Sequence, residues 1–330
     1  MSGDLRVGLI GCGRAAERYY LPVLARRSLS ARLVAVADPL PERTLLATSF
    51  VPDCKTFDCV ETLLQESSLD AIVVASSPET HAQITMRALQ AGLAVLVEKP
   101  VATSTEQARA LEEQLAHASG SVMVGFNQRH WEPVERLESV LRRKDRTGEV
   151  SADLRMTVNI AGWSPVAGVV NPLEDLGPHL LDLLRFLLRR EILALAASQS
   201  TDGAVDLRVR LSGGTTARCR VAHGGLTEES IDLQWERECY LVRMGSDRIE
   251  PPAGFTRSLL DFSEAGYRRL RGRRASLHYS HERQLLRFLA HVRGGERPTP
   301  AIEDGLAVAR AVEAAKRSLI RGSQEVLVQK

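Results

Sequence analysis

Apolar and polar positions in the first 125 residues alternate between short, continuous apolar runs and longer segments with helical spacing. The apolar runs predict strands at 5–11, 32–38, 71–75, 94–97 and 121–125. The segments between them predict helices at 14–26, 41–48, 60–66, 79–91 and 104–118. Strands without a polar face, separated by helices, are typical of a parallel sheet covered on both sides. Right-handed crossovers then give a doubly wound α/β domain.

The second half has a different pattern, in which apolar and polar residues alternate strictly from 150 to 160. Such alternation predicts a strand with one buried side. Further strands are predicted at 192–197, 205–211, 215–221, 230–235, 240–244 and 325–328, and helices at 281–292 and 303–320. Gly213-Gly214 predicts a hairpin turn between two of these strands. We therefore expect an α/β domain over residues 1–125 and an α+β domain with a largely antiparallel sheet over residues 126–330.

The turn after the first predicted strand carries a ligand-binding signature. Gly11, Gly13 and Ala16 match the G-x-G-x-x-G/A fingerprint of dinucleotide-binding Rossmann domains. The following helix start offers N–H groups and a partial positive charge to phosphates. The residues predicted to hold the cofactor here are Gly11, Cys12, Gly13, Arg14 and Ala15.

Asp38 ends the second predicted strand, 25 residues after Gly13. A carboxylate at this place accepts hydrogen bonds from the adenosine ribose hydroxyls and repels a 2′-phosphate, which favours NAD over NADP. Arg43 lies close enough in sequence that NADP remains an alternative cofactor. The alternative interpretation of Asp38 is a helix N-cap before Pro39 and Pro41.

The overall composition excludes several classes of protein. With 330 residues, 44% hydrophobic and 25% charged, the chain is long enough for two globular domains. A net charge of +2 and only 5% aromatic residues argue against nucleic-acid binding. No run approaches the roughly 20 apolar residues of a membrane helix. The first strand begins near Leu5, which leaves no room for a signal peptide, so we expect a cytoplasmic protein.

Two further features of composition bear on ligands. The five cysteines form no C-x-x-C pair, and Cys54 and Cys59 lack companions for a zinc site, so we expect reduced thiols and no metal. The basic run at 267–274 is interpreted either as a solvated segment or as a patch for a phosphorylated or nucleotide-linked substrate.

Ser76, Ser77 and Pro78 follow the predicted strand 71–75 at its carboxyl end. Ligands bind at that edge of open α/β sheets, so these residues are predicted to contact the cofactor. His81 lies in the first turn of the next predicted helix. It is either a surface or capping histidine or a further residue on the cofactor side.

Asp175 and His179 are four residues apart and would share one face of a helix. Because proline is tolerated in the first turn of a helix, Pro178 predicts a helix start within 174–177. The leucine-rich continuation must be buried, and a carboxylate and an imidazole beside it need partners. The pair is interpreted either as a catalytic site or as an N-capping Asp with a satisfied core histidine.

Together, these motifs resemble the glucose–fructose oxidoreductase / inositol dehydrogenase (Gfo/Idh/MocA) family. The matching segments are the glycine turn, Asp38, Ser76-Ser77-Pro78, His81, Ala91-Gly92, Val97-Glu98-Lys99-Pro100, 125–129 and 175–182. The resemblance covers essentially the whole chain, more weakly after residue 195. It implies a Rossmann domain followed by a substrate-binding and oligomerisation domain. The chain departs from the family at Asn171-Pro172-Leu173-Glu174, where relatives often have a glycine cluster.

The resemblance also implies an NAD(P)-dependent oxidoreductase that moves a hydride between nicotinamide and a CH–OH carbon, with Lys99, Asp175 and His179 as catalytic residues. His179 suits general acid–base catalysis because its unperturbed pKa lies near neutrality. Lys99 would hydrogen-bond the reacting oxygen and favour its negative charge. Asp175 would orient the substrate hydroxyls and His179.

Additional binding residues follow from the same resemblance. Glu98, Lys99 and Asn127 are assigned to the cofactor, and Lys99, Arg129, Asp175 and His179 to the substrate. Arg129 is equally consistent with a structural ion pair, and Asp182 with either a supporting role at the site or a structural polar group. The implied substrate is a polyol, sugar, cyclitol or sugar nucleotide.

Two other functions stay open at this point, namely an NAD-dependent glycosidase of the same family and a non-catalytic NAD-linked regulator. We expect a homo-oligomer, either a dimer or a tetramer. Neither a nucleic acid nor a membrane is expected as a partner.

Overall fold

The computed structural model describes residues 3–144, 148–159, 171–225, 227–243 and 277–329. The chain divides into two compact units. The first consists of Met1–Asn127 and His281–Ala309, and the second of Gln128–Ser280 and Arg310–Lys330.

The first unit contains a six-stranded parallel sheet. Its strands are β1 (Leu5–Ile10), β2 (Ala31–Ala37), β3 (Lys55–Phe57), β4 (Ala71–Val74), β5 (Ala94–Val97) and β6 (Val122–Val124). The strand order is β3-β2-β1-β4-β5-β6, and every neighbouring pair is parallel. This is the strand order of the dinucleotide-binding Rossmann fold, which confirms the predicted fold class.

Helices alternate with these strands, as the sequence predicts. They are α1 (Leu21–Leu24), α2 (Pro41–Phe50), α3 (Val60–Glu66), α4 (Pro78–Gln90) and α5 (Thr105–Leu115). A π-helical turn, Ala16–Tyr20, leads into α1. The sequence did not predict β3, because its three residues are exposed or half-buried and show no apolar pattern.

The second unit is built on a mixed, mostly antiparallel sheet. Its elements are α6 (Glu132–Leu141), β7 (Val150–Val158), α7 (Pro172–Leu188), β8 (Ile192–Gln199), β9 (Val205–Leu211), β10 (Thr216–His223), β11 (Glu228–Trp235) and β12 (Glu238–Arg243). Helices α8 (Leu277–Val292) and α9 (Ile302–Ile320) and strand β13 (Val326–Leu327) complete the chain.

The strand order of this sheet is β12-β11-β7-β10-β9-β8-β13. Only β7 and β10 pair in parallel, whereas the other described neighbours are antiparallel, as the sequence predicts. Gly213 and Gly214 form the predicted turn between β9 and β10, with φ values of 70° and 75°. Helix α7 packs on β10 and β7. Ile160, Met244 and the basic run at 267–274 lie outside the described residues.

Two elements correct the sequence expectations in this unit. Helix α6 was not predicted, although Val134, Leu137 and Leu141 are buried at helical spacing. Helix α7 was predicted to begin within 174–177 but begins at Pro172, so that Pro178 lies inside the helix. Asn171 is the N-cap, and its side-chain oxygen accepts a hydrogen bond of 2.9 Å from the N–H of Leu173. Proline at the first helical position and an Asn cap form a strong start signal.

Helix α8 belongs to the core of the first unit, although it lies far along the chain. Leu285, Phe288 and Leu289 are buried in the same apolar cluster as Leu5 and Leu9 of β1. Gln284 of α8 is also buried, and its amide donates a hydrogen bond of 3.1 Å to the carbonyl of Val124. The Rossmann core is therefore completed by a helix from the C-terminal part of the chain.

Candidate functional site

The glycine turn brings the end of β1 against the end of β4. Gly11 has a φ of +83°, and a Cβ at this position would lie 2.5 Å from the backbone of Ser76. A side chain here is excluded both by the backbone conformation and by this close approach. At Gly13, a Cβ would meet only an Arg43 guanidinium nitrogen, at 3.9 Å. Gly13 therefore leaves room for a ligand beside the helix start.

Asp38 is buried at the carboxyl end of β2 and is tied to the glycine turn. Its Oδ2 accepts a hydrogen bond of 2.8 Å from the N–H of Cys12, and its Oδ1 accepts one of 3.0 Å from Leu40. The N-cap of α2 is Leu40, so the alternative interpretation of Asp38 as the N-cap is wrong. Arg43 lies 3.7 Å from the same carboxylate. Burial raises the pKa of Cys12 to about 12, with the Asp38 charge adding to it, so that thiol stays neutral.

A cavity of about 410 Å³ opens at the carboxyl ends of β1, β2 and β4, within the size range of small-ligand sites. Predicted cofactor residues that line it are Gly11, Gly13, Arg14, Ala15, Asp38, Ser76 and Ser77. Arg43, Asp58, Cys59, Val60 and Thr80 line it as well. A glycine cradle, a helix start and a carboxylate at the end of β2 are the groups that a dinucleotide requires, so these residues fit NAD.

Ser77 and Pro78 form the start of α4, with Ser77 at the N-cap and Pro78 at the first helical position. The hydroxyls of Ser76 and Thr80 are 2.7 Å apart, and Thr80 donates to the carbonyl of Ser77 at 2.8 Å. These contacts fix the cavity wall formed by the loop after β4.

His81 is buried behind this wall, so the interpretation as a surface histidine is wrong. Its Nδ1 lies 2.8 Å from the carbonyl oxygen of Pro100 and its Nε2 lies 3.0 Å from that of Ser76. Burial lowers the pKa of His81, and a neutral ring donates from one nitrogen only. His81 thus lies between the carbonyl oxygens of Ser76 and Pro100 and donates a hydrogen bond to one of them.

Glu98 and Lys99 follow β5 and are half-buried. The hydroxyl of the fully buried Tyr20 donates to Glu98 Oε1 at 2.6 Å, and the N–H of Lys99 donates to Glu98 Oε2 at 3.2 Å. Burial, with the Glu98 charge adding to it, raises the pKa of Tyr20 well above its usual value, so the phenol remains a donor. The Glu98 carboxylate is therefore held in a fixed orientation beside the Lys99 backbone.

Asn127 is buried at the end of the segment that follows β6. Its Nδ2 lies 3.4 Å from Nδ1 of His281 in α8. The His281 ring stacks on Tyr19, with ring centroids 3.8 Å apart and an angle of 2° between the planes. Tyr19, Tyr20 and His281 were not among the predicted site residues, because only the fold brings the π-helical turn and α8 to these positions.

In the second unit, Asp175 and His179 lie four residues apart on α7, as predicted. Asp175 Oδ2 is 3.3 Å from Nε2 of His223, the last residue of β10. The side chain of His223 is 11% exposed and that of Asp175 is 34% exposed. His223 was missed by sequence reasoning, since its relation to Asp175 depends on how α7 packs on β10.

Arg129 and Asp182 form a buried, bidentate ion pair in the second unit. The Nε–Oδ2 distance is 2.8 Å and the Nη2–Oδ1 distance is 2.5 Å. The Arg129 guanidinium also lies 4.8 Å from the centre of the Phe186 ring. This geometry is that of the structural ion pair which the sequence left open, and substrate binding by Arg129 stays a prediction.

Two classes of feature are absent from the described ranges. None of the helices there combines the length and apolar character that a membrane span requires. In the same part of the chain, no group of three or more His, Cys, Asp or Glu side chains is arranged to hold a metal ion.

Comparison with known sequences identifies the relatives of this chain. Residues 5–126 match the model of the GFO_IDH_MocA oxidoreductase family, which has an NAD-binding Rossmann fold. An inositol 2-dehydrogenase of Rhizobium meliloti is 26% identical over 347 aligned positions, which cover 97% of this chain and 98% of that enzyme. Residues 5–126 therefore belong to the Gfo/Idh/MocA family. Inositol 2-dehydrogenase 4 of Saccharopolyspora erythraea is 31% identical over 58% of this chain and 56% of that enzyme.

Solved structures of several dehydrogenases share the fold along the whole chain. The WlbA dehydrogenase of Bordetella pertussis, in complex with NADH and UDP-GlcNAcA, has a TM-score of 0.85 at 20% identity, over 100% of this chain and 99% of that one. The scyllo-inositol dehydrogenase of Lactobacillus casei, with bound NAD(H) and scyllo-inositol, has a TM-score of 0.80 at 17% identity, over 98% and 99%. The predicted family, fold class and oxidoreductase assignment are confirmed.

Proposed function

We propose that this chain is an NAD-dependent dehydrogenase of a cyclitol, a sugar or the sugar part of a sugar nucleotide, in which Lys99, Asp175 and His179 are the catalytic residues. The observation that carries the proposal is the cavity at the carboxyl ends of β1, β2 and β4, with the buried carboxylate of Asp38 at its edge. Substrates of this class offer several neighbouring hydroxyls. The half-buried Asp175 and His179 of α7 suit such a substrate.

When bound, NAD would supply the acceptor for the hydride of the CH–OH carbon. In the direction of oxidation, His179 takes the proton of the reacting hydroxyl. Lys99 donates a hydrogen bond to the same oxygen and stabilises its negative charge. Asp175 accepts hydrogen bonds from the substrate hydroxyls and orients the sugar. In the direction of reduction, the protonated His179 returns the proton to the oxygen.

We propose NAD rather than NADP as the cofactor. Asp38 would accept the ribose hydroxyls and would repel a 2′-phosphate, although Arg43 lies only 3.7 Å from it. The assignments of Pro78, His81, Glu98 and Asn127 to the cofactor site, the homo-oligomeric state and the cytoplasmic location also stay predictions.

The experiment that tests the proposal combines binding with turnover. Selective binding raises the melting temperature by mass action, so a thermal-shift screen with NAD and NADP, with and without cyclitols and sugar nucleotides, identifies the ligands. NADH formation is then measured for the wild type, Lys99→Ala and His179→Ala. We expect both variants to lose at least about a hundredfold in kcat, the size of a general acid–base contribution, while NAD binding persists.

Three outcomes would contradict the proposal. Cofactor-dependent turnover that survives in both variants would show that the site is elsewhere. Cleavage of a glycoside without net NADH formation would support the glycosidase alternative. Binding of NAD without turnover of any sugar or cyclitol would support a regulator.

A further inference from the structure

His223 is placed by β10 on the buried side of the second sheet. Cys219 and Val221 of the same strand are buried at alternate positions, and His223 continues that face. Its ring is largely withdrawn from solvent, with 11% of the side chain exposed. A polar ring in such a place needs a hydrogen-bond partner. The partner in this structure is the carboxylate of Asp175, at 3.3 Å from Nε2.

The backbone around His223 is fixed on the neighbouring strand. His223 pairs with Val158 of β7, and the N–H of Gly224 donates to the Val158 carbonyl at 3.1 Å. A Cβ at Gly224 would lie 2.8 Å from the Thr157 side chain, so this turn passes close to β7. The amide of Asn159 donates to the carbonyl of Gly225 at 2.8 Å. The imidazole therefore extends from a rigid support.

Asp175 is held from the other side by α7. The Asn171 cap fixes the start of this helix, and Glu174 forms an ion pair of 2.9 Å with Lys316. The Asp175 side chain is three times as exposed as that of His223, at 34% against 11%. The carboxylate thus contacts an inner donor with one oxygen while it remains accessible from outside. This is the arrangement expected where one group orients another that meets a ligand.

We infer that His223 is a positioning residue for Asp175, with its Nε2–H donating to Oδ2 and fixing the carboxylate for the hydroxyl groups of a polyol. The inference rests on the proposed function, in which Asp175 contacts the substrate. A hydrogen bond from Nε2–H to this oxygen, 3.3 Å away, restricts rotation of the carboxylate. Without it, the carboxylate loses this restraint from β10, and part of its orientation has to be established when the substrate binds, so the affinity would fall.

The inference is tested by the affinity for myo-inositol, measured by calorimetry on the full-length protein saturated with NADH, so that inactive variants can be included. We expect His223→Ala to raise Kd about tenfold, the equivalent of one charge-assisted hydrogen bond. Glutamine places an amide N–H where Nε2–H lies, so His223→Gln should recover Kd to within about threefold of the wild type. An unchanged Kd in His223→Ala would overturn the inference, and so would a Gln variant no better than Ala.

A double-mutant cycle separates positioning from direct contact. If His223 acts through Asp175, His223→Ala should change Kd by less than about twofold in an Asp175→Asn background. If the two substitutions change Kd independently, so that their separate effects multiply in the double variant, the inference is overturned. Val221→Ala is the matched control, because it shortens a side chain on the same buried face of β10 without removing a donor. It should lower stability and leave Kd for myo-inositol unchanged.

A second readout does not depend on the substrate. In protein labelled with ¹⁵N-histidine, the eight imidazoles are resolved by their long-range ¹H–¹⁵N correlations. We expect a protonated Nε2 at His223, with a resonance that shifts in Asp175→Asn, whereas the exposed His117 should not respond. A neutral His223 protonated only on Nδ1 would overturn the inference. If the wild type binds no myo-inositol but shows this coupling, the cyclitol substrate is wrong and the pairing of His223 with Asp175 stands.

Discussion

Asp38 combines a structural and a proposed recognition role in one side chain. Its two oxygens accept the N–H groups of Cys12 and Leu40, so the carboxylate fixes the glycine turn to the end of β2. It also lines the cavity at the carboxyl ends of β1, β2 and β4, beside Arg43. On the proposed function, the geometry of the turn and the choice of cofactor depend on the same carboxylate.

For this reason we expect Asp38→Asn to change cofactor preference more than it changes folding. The amide oxygen can still accept one backbone N–H, but the negative charge that repels a 2′-phosphate is lost. The ratio of kcat/KM for NAD to that for NADP should fall about tenfold or more, which corresponds to about 1.4 kcal/mol. Asp53→Asn, at an exposed site outside the cavity, is the control. An unchanged ratio would show that Asp38 does not discriminate between NAD and NADP.

Glu229 of β11 is a buried carboxyl group with an unusual environment. Neither of its side-chain oxygens has a hydrogen-bond partner in the described part of the chain. Burial raises its pKa from 4.5 to about 8. The native state therefore keeps a proton that the unfolded chain releases above its ordinary pKa. The contribution of Glu229 to the free energy of unfolding is fully present below pH 4.5. It is lost as pH rises from there through about 8.

We expect Glu229→Gln to remove this dependence, because the amide carries no charge at any pH. The difference in free energy of unfolding between the variant and the wild type should grow from pH 5 to pH 8, with a slope of at most about 1.4 kcal/mol per pH unit. Urea unfolding at several pH values measures it. Glu228→Gln, on the exposed face of the same strand, is the matched control. Equal pH dependence in the two variants would show that Glu229 ionises freely.

At the scale of elements, α7 carries a helix-start signal at Asn171-Pro172, upstream of the predicted start. The prediction placed the helix start by Pro178 alone, whereas Asn171-Pro172 is a cap followed by a first-turn proline. The structure tolerates Pro178 inside the helix, where it cannot donate to the carbonyl of Glu174. The spacing of Asp175 and His179 was still predictable, because four residues span one turn in either case.

Helix α8 illustrates what the hydrophobic pattern cannot supply. The pattern predicts a helix at 281–292, and the structure has one at Leu277–Val292. An apolar face must be covered, but its spacing does not identify the covering partner. That partner is the apolar cluster of the first unit, which includes Leu5, Leu9 and Tyr20.

Truncation of the fully buried Phe288 should therefore destabilise the Rossmann unit. We expect Phe288→Ala to lower the free energy of unfolding by about 3–5 kcal/mol, through lost burial and the remaining cavity. Urea unfolding of the wild type and the variant, with and without NAD, measures the effect on the free energy of unfolding. Leu286→Ala on the same helix is the control, since that side chain is 37% exposed and its loss should cost far less. Equal effects of the two substitutions would contradict the assignment of α8 to this core.

On the scale of the whole molecule, the fold was more predictable than the site. Continuous apolar strands and alternating ones differ in period, so the class of each sheet follows from sequence. Residues next to a strong local motif, such as Gly11, Asp38 and Ser76, were predictable in the same way. Asp58 and Cys59 were not, because they line the cavity only through β3, which has no apolar pattern. His223 and His281 reach their positions through packing between elements distant in sequence.

The first unit is discontinuous along the chain, and this gives a prediction for fragments. Residues 1–127 contain all six parallel strands and every residue of the cavity, yet they lack Leu285, Phe288 and Leu289. We expect the isolated fragment to expose the uncovered cluster, to bind a hydrophobic dye and to gain no stability from NAD. A peptide of residues 277–309 added in trans should restore cooperative unfolding and NAD-dependent stabilisation.

The same peptide provides its own controls. With Phe288→Ala it should fail to restore the fragment, whereas with Leu286→Ala it should succeed, because Phe288 is fully buried in the shared cluster and Leu286 is exposed. Cooperative unfolding and full NAD stabilisation of fragment 1–127 alone would show that the six-stranded sheet can cover its own core. In that case the apolar face of α8 would be dispensable for cofactor binding, and the order of chain segments would match the order of folding units.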